Sequence, residues 1–337
     1  MTPTNGHLRA IAAALALCAA LPAFGPAHAQ QVEHGVVVQR GWLNTRKAIE
    51  PLKITNSNGS QLKSMQRVAI TVFNVAFPDD FEMKAKGGGA SGAFGMISHS
   101  SSRIHTHLNG IDLATQQAIA DHAYADFVAQ LKSAGFEVVD QAALAAASPE
   151  YATWTALPNG TRGRFGAYVA PTGMKLHFMP GDTDHRATSG MFGQQMTAFR
   201  ALDRTQAYQR SPYVARDANV NAIAVTLVVD YGVYSSSGNR RGFGKRVSTG
   251  FEEGATVAAG ILGDDATVVR VWNSHSGGFP TQLTLQQPVI SDADIGPADS
   301  TPGDFVIHSS PALFTPPAKD VIERANSAIV GAFVEGR

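Results

Sequence analysis

RVAITVFNVAF, running from Arg67 to Phe77 and closed by Pro78-Asp79-Asp80, decides how the rest of the chain is read. An apolar run rich in β-branched and aromatic residues, bounded by turn residues, is a strand buried on both faces. From Asp112 to Ala134 the pattern takes a helical period. Leu113, Ala120, Tyr124, Phe127, Val128 and Leu131 fall on one face, while Gln117, Asp121, Asp126, Gln130 and Lys132 fall mostly elsewhere. Asp112 suits the N-cap, and Gly135 stands where a left-handed residue ends a helix. Phe136 to Asp140 reads as a second buried strand, and Gln141 to Ala147 as a short helix stopped by Pro149. Strand, amphipathic helix, strand is the βαβ signature, which joins parallel strands by a right-handed crossover.

Outward from this unit the expectations are coarser. Residues 30–66 form an irregular lead-in. Gly87 to Arg103, with its glycine run and four serines, reads as a long mobile loop. Residues 150–220 form a β-leaning insertion, with Arg164 to Val169 and Met174 to Met179 as strands and a helix within Met191 to Tyr208. Asn221 to Tyr234 is the strongest strand of the second half. Thr267 to Trp272 and Gln282 to Val289 flank a hairpin turn. Ser291 to Pro317 reads as a linker. Ala318 to Val334 closes as a helix with Val321, Ile322, Ala325, Ile329 and Phe333 inward. The fold class is α/β: a mixed sheet with a parallel βαβ core and flanking helices, forming a single domain over residues 67–337.

Composition narrows the function. Charged residues make up 16% of the 337, and Lys plus Arg equals Asp plus Glu at 27 each, so no net field exists to hold a nucleic acid. Arg9, the 12-residue apolar run Ala10 to Leu21 and Ala27-His28-Ala29 make a secretory signal peptide, residues 1–29, cleaved before Gln30. No stretch reaches the roughly 18 to 20 apolar residues of a transmembrane helix. The expected location is periplasmic or secreted. Cys18, the only cysteine, leaves with the leader, because Leu17 stands where a lipid-anchored precursor wants a small residue. The mature chain then has no thiol for a disulfide, a thiolate metal site or a nucleophile.

The order of parts resembles the periplasmic envelope-assembly domains of the curli-secretion lipoprotein CsgG, the amino-terminal domain of TolB and the LpoB-type activators. The matching residues are Val68-Ala69-Ile70-Thr71-Val72 as the opening strand and Lys132-Ser133-Ala134-Gly135-Phe136-Glu137-Val138-Val139-Asp140 as the helix-to-strand turn. Asn221-Ala222-Ile223-Ala224-Val225 matches a later strand, and Asn273-Ser274-His275-Ser276-Gly277 a later turn. The resemblance implies a noncatalytic protein that binds envelope proteins or further copies of itself. It does not carry over a pore, since no long alternating hairpins of about ten residues per strand are legible.

Candidate chemistry is sparse. His99, His105 and His107 gather in one stretch, and on a strand His105 and His107 would share a face, as a metal pair needs. No spacing supplies further ligands, so a solvated segment explains them as well. Gly87 to Gly95 lacks the Gly-Lys-Ser/Thr ending of a phosphate loop, and Ser91 has Ala93 where a nucleophile elbow requires Gly. Asp292, Asp294 and Asp299 only partly follow a calcium loop. Arg240, Arg241, Lys245 and Arg246 suit peripheral contact with anionic lipid or polysaccharide, or else a solvated loop. No cofactor is implied. The expected working surface is the Gly87 to Arg103 segment, where Phe94, Met96 and Ile97 are apolar groups set among Gly and Ser. The alternative is an exported hydrolase or metal-dependent enzyme built on His99, His105 and His107. Mass spectrometry of the exported form should find a chain beginning at Gln30; retention of residues 1–29, or lipid on Cys18, would overturn the leader.

Overall fold

The computed structural model describes residues 54–57, 61–63, 65–78, 80–91, 96–182, 206–231, 235–241, 244–250, 258–263, 266–274, 279–286, 288–301 and 304–337. Its centre is a pair of parallel strands, β2 (Arg67–Phe77) and β8 (Asn221–Asp230). Every residue of β8 is buried, and every residue of β2 except Arg67. That is what near-continuous apolar runs require, since alternation appears only where one face meets water. A bulge at Thr71 interrupts the register between Ile70 and Val72, and the Thr71 hydroxyl donates to Ile223 O at 3.1 Å.

On its other edge β2 is shared. Its start pairs in parallel with β5 (Glu137–Val139), completing the expected βαβ unit through α1 (Leu113–Ser133). Its end pairs antiparallel with β7 (Gly166–Val169), which turns back to β6 (Thr161–Gly163). Beyond β8 lie β12 (Val268–Trp272), β13 (Thr281–Leu285) and the edge strand β1 (Ile54–Ser57), all antiparallel. The end of β8 also meets β11 (Ala258–Ile261), which pairs with β14 (Val289–Asp294). The result is a mixed ten-stranded sheet.

Helices cover both faces. On one, α1 and α5 (Pro311–Gly336) pack over Phe73, Val75, Ile223, Val225 and Leu227. Phe127 lies 5.7 Å from Phe73 and 6.5 Å from Phe333, ring centre to ring centre. On the other, α2 (Gln141–Ala147), α3 (Pro149–Ala152) and α4 (Gln206–Asp217) pack against Ala69, Val72, Ala222 and Ala224. Small residues on this face let the shorter helices approach the strands. Asp112 caps α1 by accepting from Thr115 N at 2.8 Å, and Gly135 (φ +83°) ends it.

Several boundaries differ from the sequence expectation. Leu113 is 47% exposed, because at the first turn of α1 the apolar stripe runs out past the strands that cover it. Gln116, Ile119 and Ala123 complete the buried face instead. Ser291 to Pro317 is no linker: it holds the end of β14, then β15 (Ala298–Thr301), β16 (Asp304–His308) and the first turns of α5. Its polar strands are stabilised by pairing with distant partners, which local composition does not reveal. Met174 to Met179 is irregular apart from the Leu157 to Leu176 bridge. The helix expected before Tyr208 falls mostly outside the described residues, and α4 runs on to Asp217. Phe127→Ala should lower unfolding free energy by about 3 to 5 kcal/mol, the range for a truncated buried aromatic, in a denaturant titration; a loss below about 1 kcal/mol would mean that the helix faces elsewhere.

Candidate functional site

The two central strands do not stop at the sheet edge. Past Pro78, β2 leads into β3 (Asp80–Ser91), 12 residues long, which pairs antiparallel with the 14-residue β4 (Met96–Asn109). Past Tyr231, β8 leads to a second hairpin, β9 (Ser235–Arg241) with β10 (Gly244–Gly250). Because β2 and β8 are parallel neighbours, both hairpins depart from the same edge. The backbone of β10 comes within 8 Å of β3 and β4. The buried Tyr231 hydroxyl donates to Thr106 O at 3.1 Å, joining the root of the second hairpin to the returning strand of the first. β4 also pairs in parallel with β16, and β16 with β15, so the first hairpin belongs to a four-stranded sheet. Gly110 (φ +91°) then ends β4 hard against the carbonyl of Ser309, where a Cβ would have no room.

The register sorts the residue types of this hairpin. Phe81 pairs with Thr106, Met83 with Ile104, Ala85 with Ser102 and Gly87 with Ser100. Between them stand Asp80 with His107, Glu82 with His105, Lys84 with Arg103 and Lys86 with Ser101. Strand positions alternate between faces with period two, so the charged and the apolar or small positions belong to opposite faces.

This corrects the reading of Gly87 to Arg103 as a mobile loop. Gly and Ser have weak strand propensity, but here Gly87, Gly88 and Gly89 lie opposite Ser100, His99 and Ser98, and the long pairing outweighs local preference. Met96 and Ile97 are paired with Ser91 and Ala90 next to the hairpin tip, while Phe94 lies outside the described residues. His105 is flanked in register by Glu82 on β3 and Asp304 on β16, and His107 by Asp80 and Val306; His99 stands three register pairs beyond His105. Among the described residues no group of three or more ligand-type side chains could hold a metal. Asp294 accepts from Gly296 N at 3.0 Å and Asp299 meets His308 at 2.9 Å, so both serve local contacts. Trp154 and Trp272 are buried, and Trp42 and Ser276 lie outside the described residues.

A second feature had no signal in the sequence. On the face that α4 covers, Asp182 is buried among strand residues. Its Oδ2 accepts from Met179 N at 2.8 Å and, at 3.4 Å each, from Asn74 of β2 and Thr226 of β8. Asn74 also donates to His177 O at 2.7 Å, Arg270 of β12 donates to Pro180 O at 2.8 Å, and Arg164 N donates to Asp182 O at 2.6 Å. Residues 177–182 are thus fastened across three strands. Burial pushes the Asp182 carboxyl up to about 6, against the pull of the Met179 amide and Arg270. Burial lowers His177 to about 4 and also lowers Arg270. Asp182 and His177 share Asn74 as a partner instead of bonding one another, and all of these side chains are buried. The arrangement pins a segment to the sheet and offers no open acid-base pair.

No protein-family profile matches the chain, and neither characterised proteins nor solved structures are significantly similar to it.

Asp230, at the root of the second hairpin, is the cleaner titration. Burial raises its pKa to about 6 from 3.8, against a single bond from Tyr231 N at 2.7 Å. A carboxyl whose folded pKa is raised contributes stability below its unfolded pKa and loses it as pH climbs through the folded one. Between about pH 4 and 6 the wild type should therefore lose about 3 kcal/mol that Asp230→Asn does not lose, at 1.4 kcal/mol per pKa unit. Paired melts across this window would show it; a pH-independent difference between the two proteins would refute it.

Proposed function

We propose that this is an exported, noncatalytic envelope-assembly protein that works by joining copies of itself through its two hairpins, the longer of which closes with its counterparts into a membrane β-barrel. The observation that carries the reading is that two adjacent parallel core strands each run on into a hairpin at the same edge. Strands of 12 and 14 residues exceed the roughly 9 to 11 that a tilted strand needs to cross a bilayer. From Asp80 to Lys86 their register also alternates apolar or small positions with charged ones, the pattern that lipid on one side and water on the other select. In sequence such a hairpin was not legible, and its presence supports extending the resemblance to CsgG-like domains to the assembly they build.

Open strand edges are intolerable in hydrocarbon, so a membrane-inserted sheet must close. One chain supplies two strands of crossing length, β3 and β4, since β9 and β10 have seven residues each; the smallest membrane barrels have about eight, so closure takes at least about four copies. No described helix is long and apolar enough to cross a membrane. The leader pattern supports a periplasmic or secreted location. Phe94, Met96 and Ile97 are the residues through which the assembly engages its surroundings. The metal-enzyme alternative has less support, since the register separates His99 from His105 and His107.

Light scattering of the mature protein in detergent should give a mass that is a multiple of the monomer, and the protein should release dye from vesicles. Replacing Phe94, Met96 and Ile97 together by Ser should leave the melting temperature nearly unchanged and abolish insertion. A strictly monomeric protein that leaves vesicles intact would end this reading.

A further inference from the structure

The tip of the shorter hairpin concentrates charge in a chain that is otherwise balanced. Arg240 and Arg241 end β9, Lys245 and Arg246 lie at the start of β10, and two residues, 242–243, join the strands. From Tyr231 to Phe251 the sequence holds these four cations and no Asp or Glu, although basic and acidic residues are equal at 27 over the whole chain. The pairing makes the concentration costly: Arg240 is directly opposite Lys245, and Arg241 is opposite Gly244. Like charges facing one another across an antiparallel pair destabilise it. The neighbouring hairpin repeats the pattern, with Lys84 opposite Arg103, and its strands are the ones that β10 lies beside. Two like-charge register pairs on adjoining hairpins are tolerable where an anionic partner neutralises them.

The neighbouring hairpin indicates which anion. The backbone of β10 comes within 8 Å of β3 and β4. From Gly87 to Ser102 the sequence has no Asp, Glu, Lys or Arg, and it contains Phe94, Met96 and Ile97. A basic hairpin beside a hairpin whose sequence turns uncharged and partly apolar has the composition of a membrane interface, where cations meet phosphates and apolar groups meet the layer past them.

We infer that the β9–β10 tip, through Arg240, Arg241, Lys245 and Arg246, docks on the phosphate headgroups of an anionic lipid surface. This needs the hairpins but not the closed barrel, so it can hold for a monomer and fail for an oligomer.

Flotation of the mature protein with vesicles tests it. The protein should float with vesicles containing anionic phosphatidylglycerol, stay behind with purely zwitterionic ones, and be released by high salt, because the attraction is screened. The combined variant Arg240→Gln, Arg241→Gln, Lys245→Gln and Arg246→Gln should lose at least about tenfold in vesicle affinity, since each cation near such a surface contributes measurably. Its circular dichroism should match the wild type, and its melting temperature should be no lower, since the like-charge pair is gone. Should that variant fail to fold, Arg241→Glu alone decides, with the same direction of loss expected. Lys63→Gln with Lys132→Gln, away from the hairpins, should bind as wild type. Equal flotation with zwitterionic vesicles, undiminished binding by a folded tip variant, or an equal loss in the Lys63/Lys132 control would each overturn the proposal. So would release by inorganic phosphate at matched ionic strength, which would identify a free-anion site. Detergent light scattering reads the oligomer separately, so failure of one reading leaves the other standing.

Discussion

The parallel pairing of β2 with β8 is the constraint on which the rest of the structure depends. Both strands are buried on both faces, so neither can form without helices above and below. The large apolar side chains Phe73, Val75, Ile223 and Val225 face α1 and α5, where aromatic rings from three elements meet. The alanines Ala69, Ala222 and Ala224 face the shorter helices. Parallel pairing also fixes the direction in which both chains leave the sheet. The two hairpins are neighbours for that reason, and the bond from Tyr231 to Thr106 holds their roots together.

The second face carries polar groups at a cost that the fastening of residues 177–182 offsets. Asn74, Thr226 and Arg270 stand on three consecutive strands and hold that segment through Asp182, His177 O and Pro180 O. Some polar atoms there, such as Asn74 Oδ1 and His177 Nε2, have no hydrogen-bond partner among the described residues. Buried polar groups usually find one, and on the opposite face Arg324 Nε and Asn326 Oδ1 of α5 also lack one among the described residues.

What could be read from sequence follows from how local each signal is. The strand from Arg67 to Phe77, the helix with its Asp112 cap and Gly135 stop, the strand after it and the inward face of the last helix are all written in contiguous residues. The structure has each of them. The long hairpin was not legible because its stability comes from register: Gly87 to Gly89 gain strand structure only by standing opposite Ser100 to Ser98. β16 was hidden in an apparent linker for the same reason, since its partner β4 lies far away in the chain. The Asp182 cluster gathers residues from Asn74 to Arg270, and no sequence window contains it. His105 and His107 stand two apart on β4, a strand that the sequence left as one option beside a solvated segment, and their register neighbours Glu82 and Asp304 lie far off along the chain.

The separation between the central strands also sets the order of events in folding. Thr71 and Ile223, bonded across the β2 to β8 seam, are 152 residues apart. That contact requires closing a very long loop before the sheet has a centre, and non-local pairing of this kind slows folding. A chain emerging from synthesis in sequence order therefore holds β2 unpaired on that edge until two thirds of its length has been delivered. Such a topology is its own delay: the core cannot lock until the partner strand has arrived.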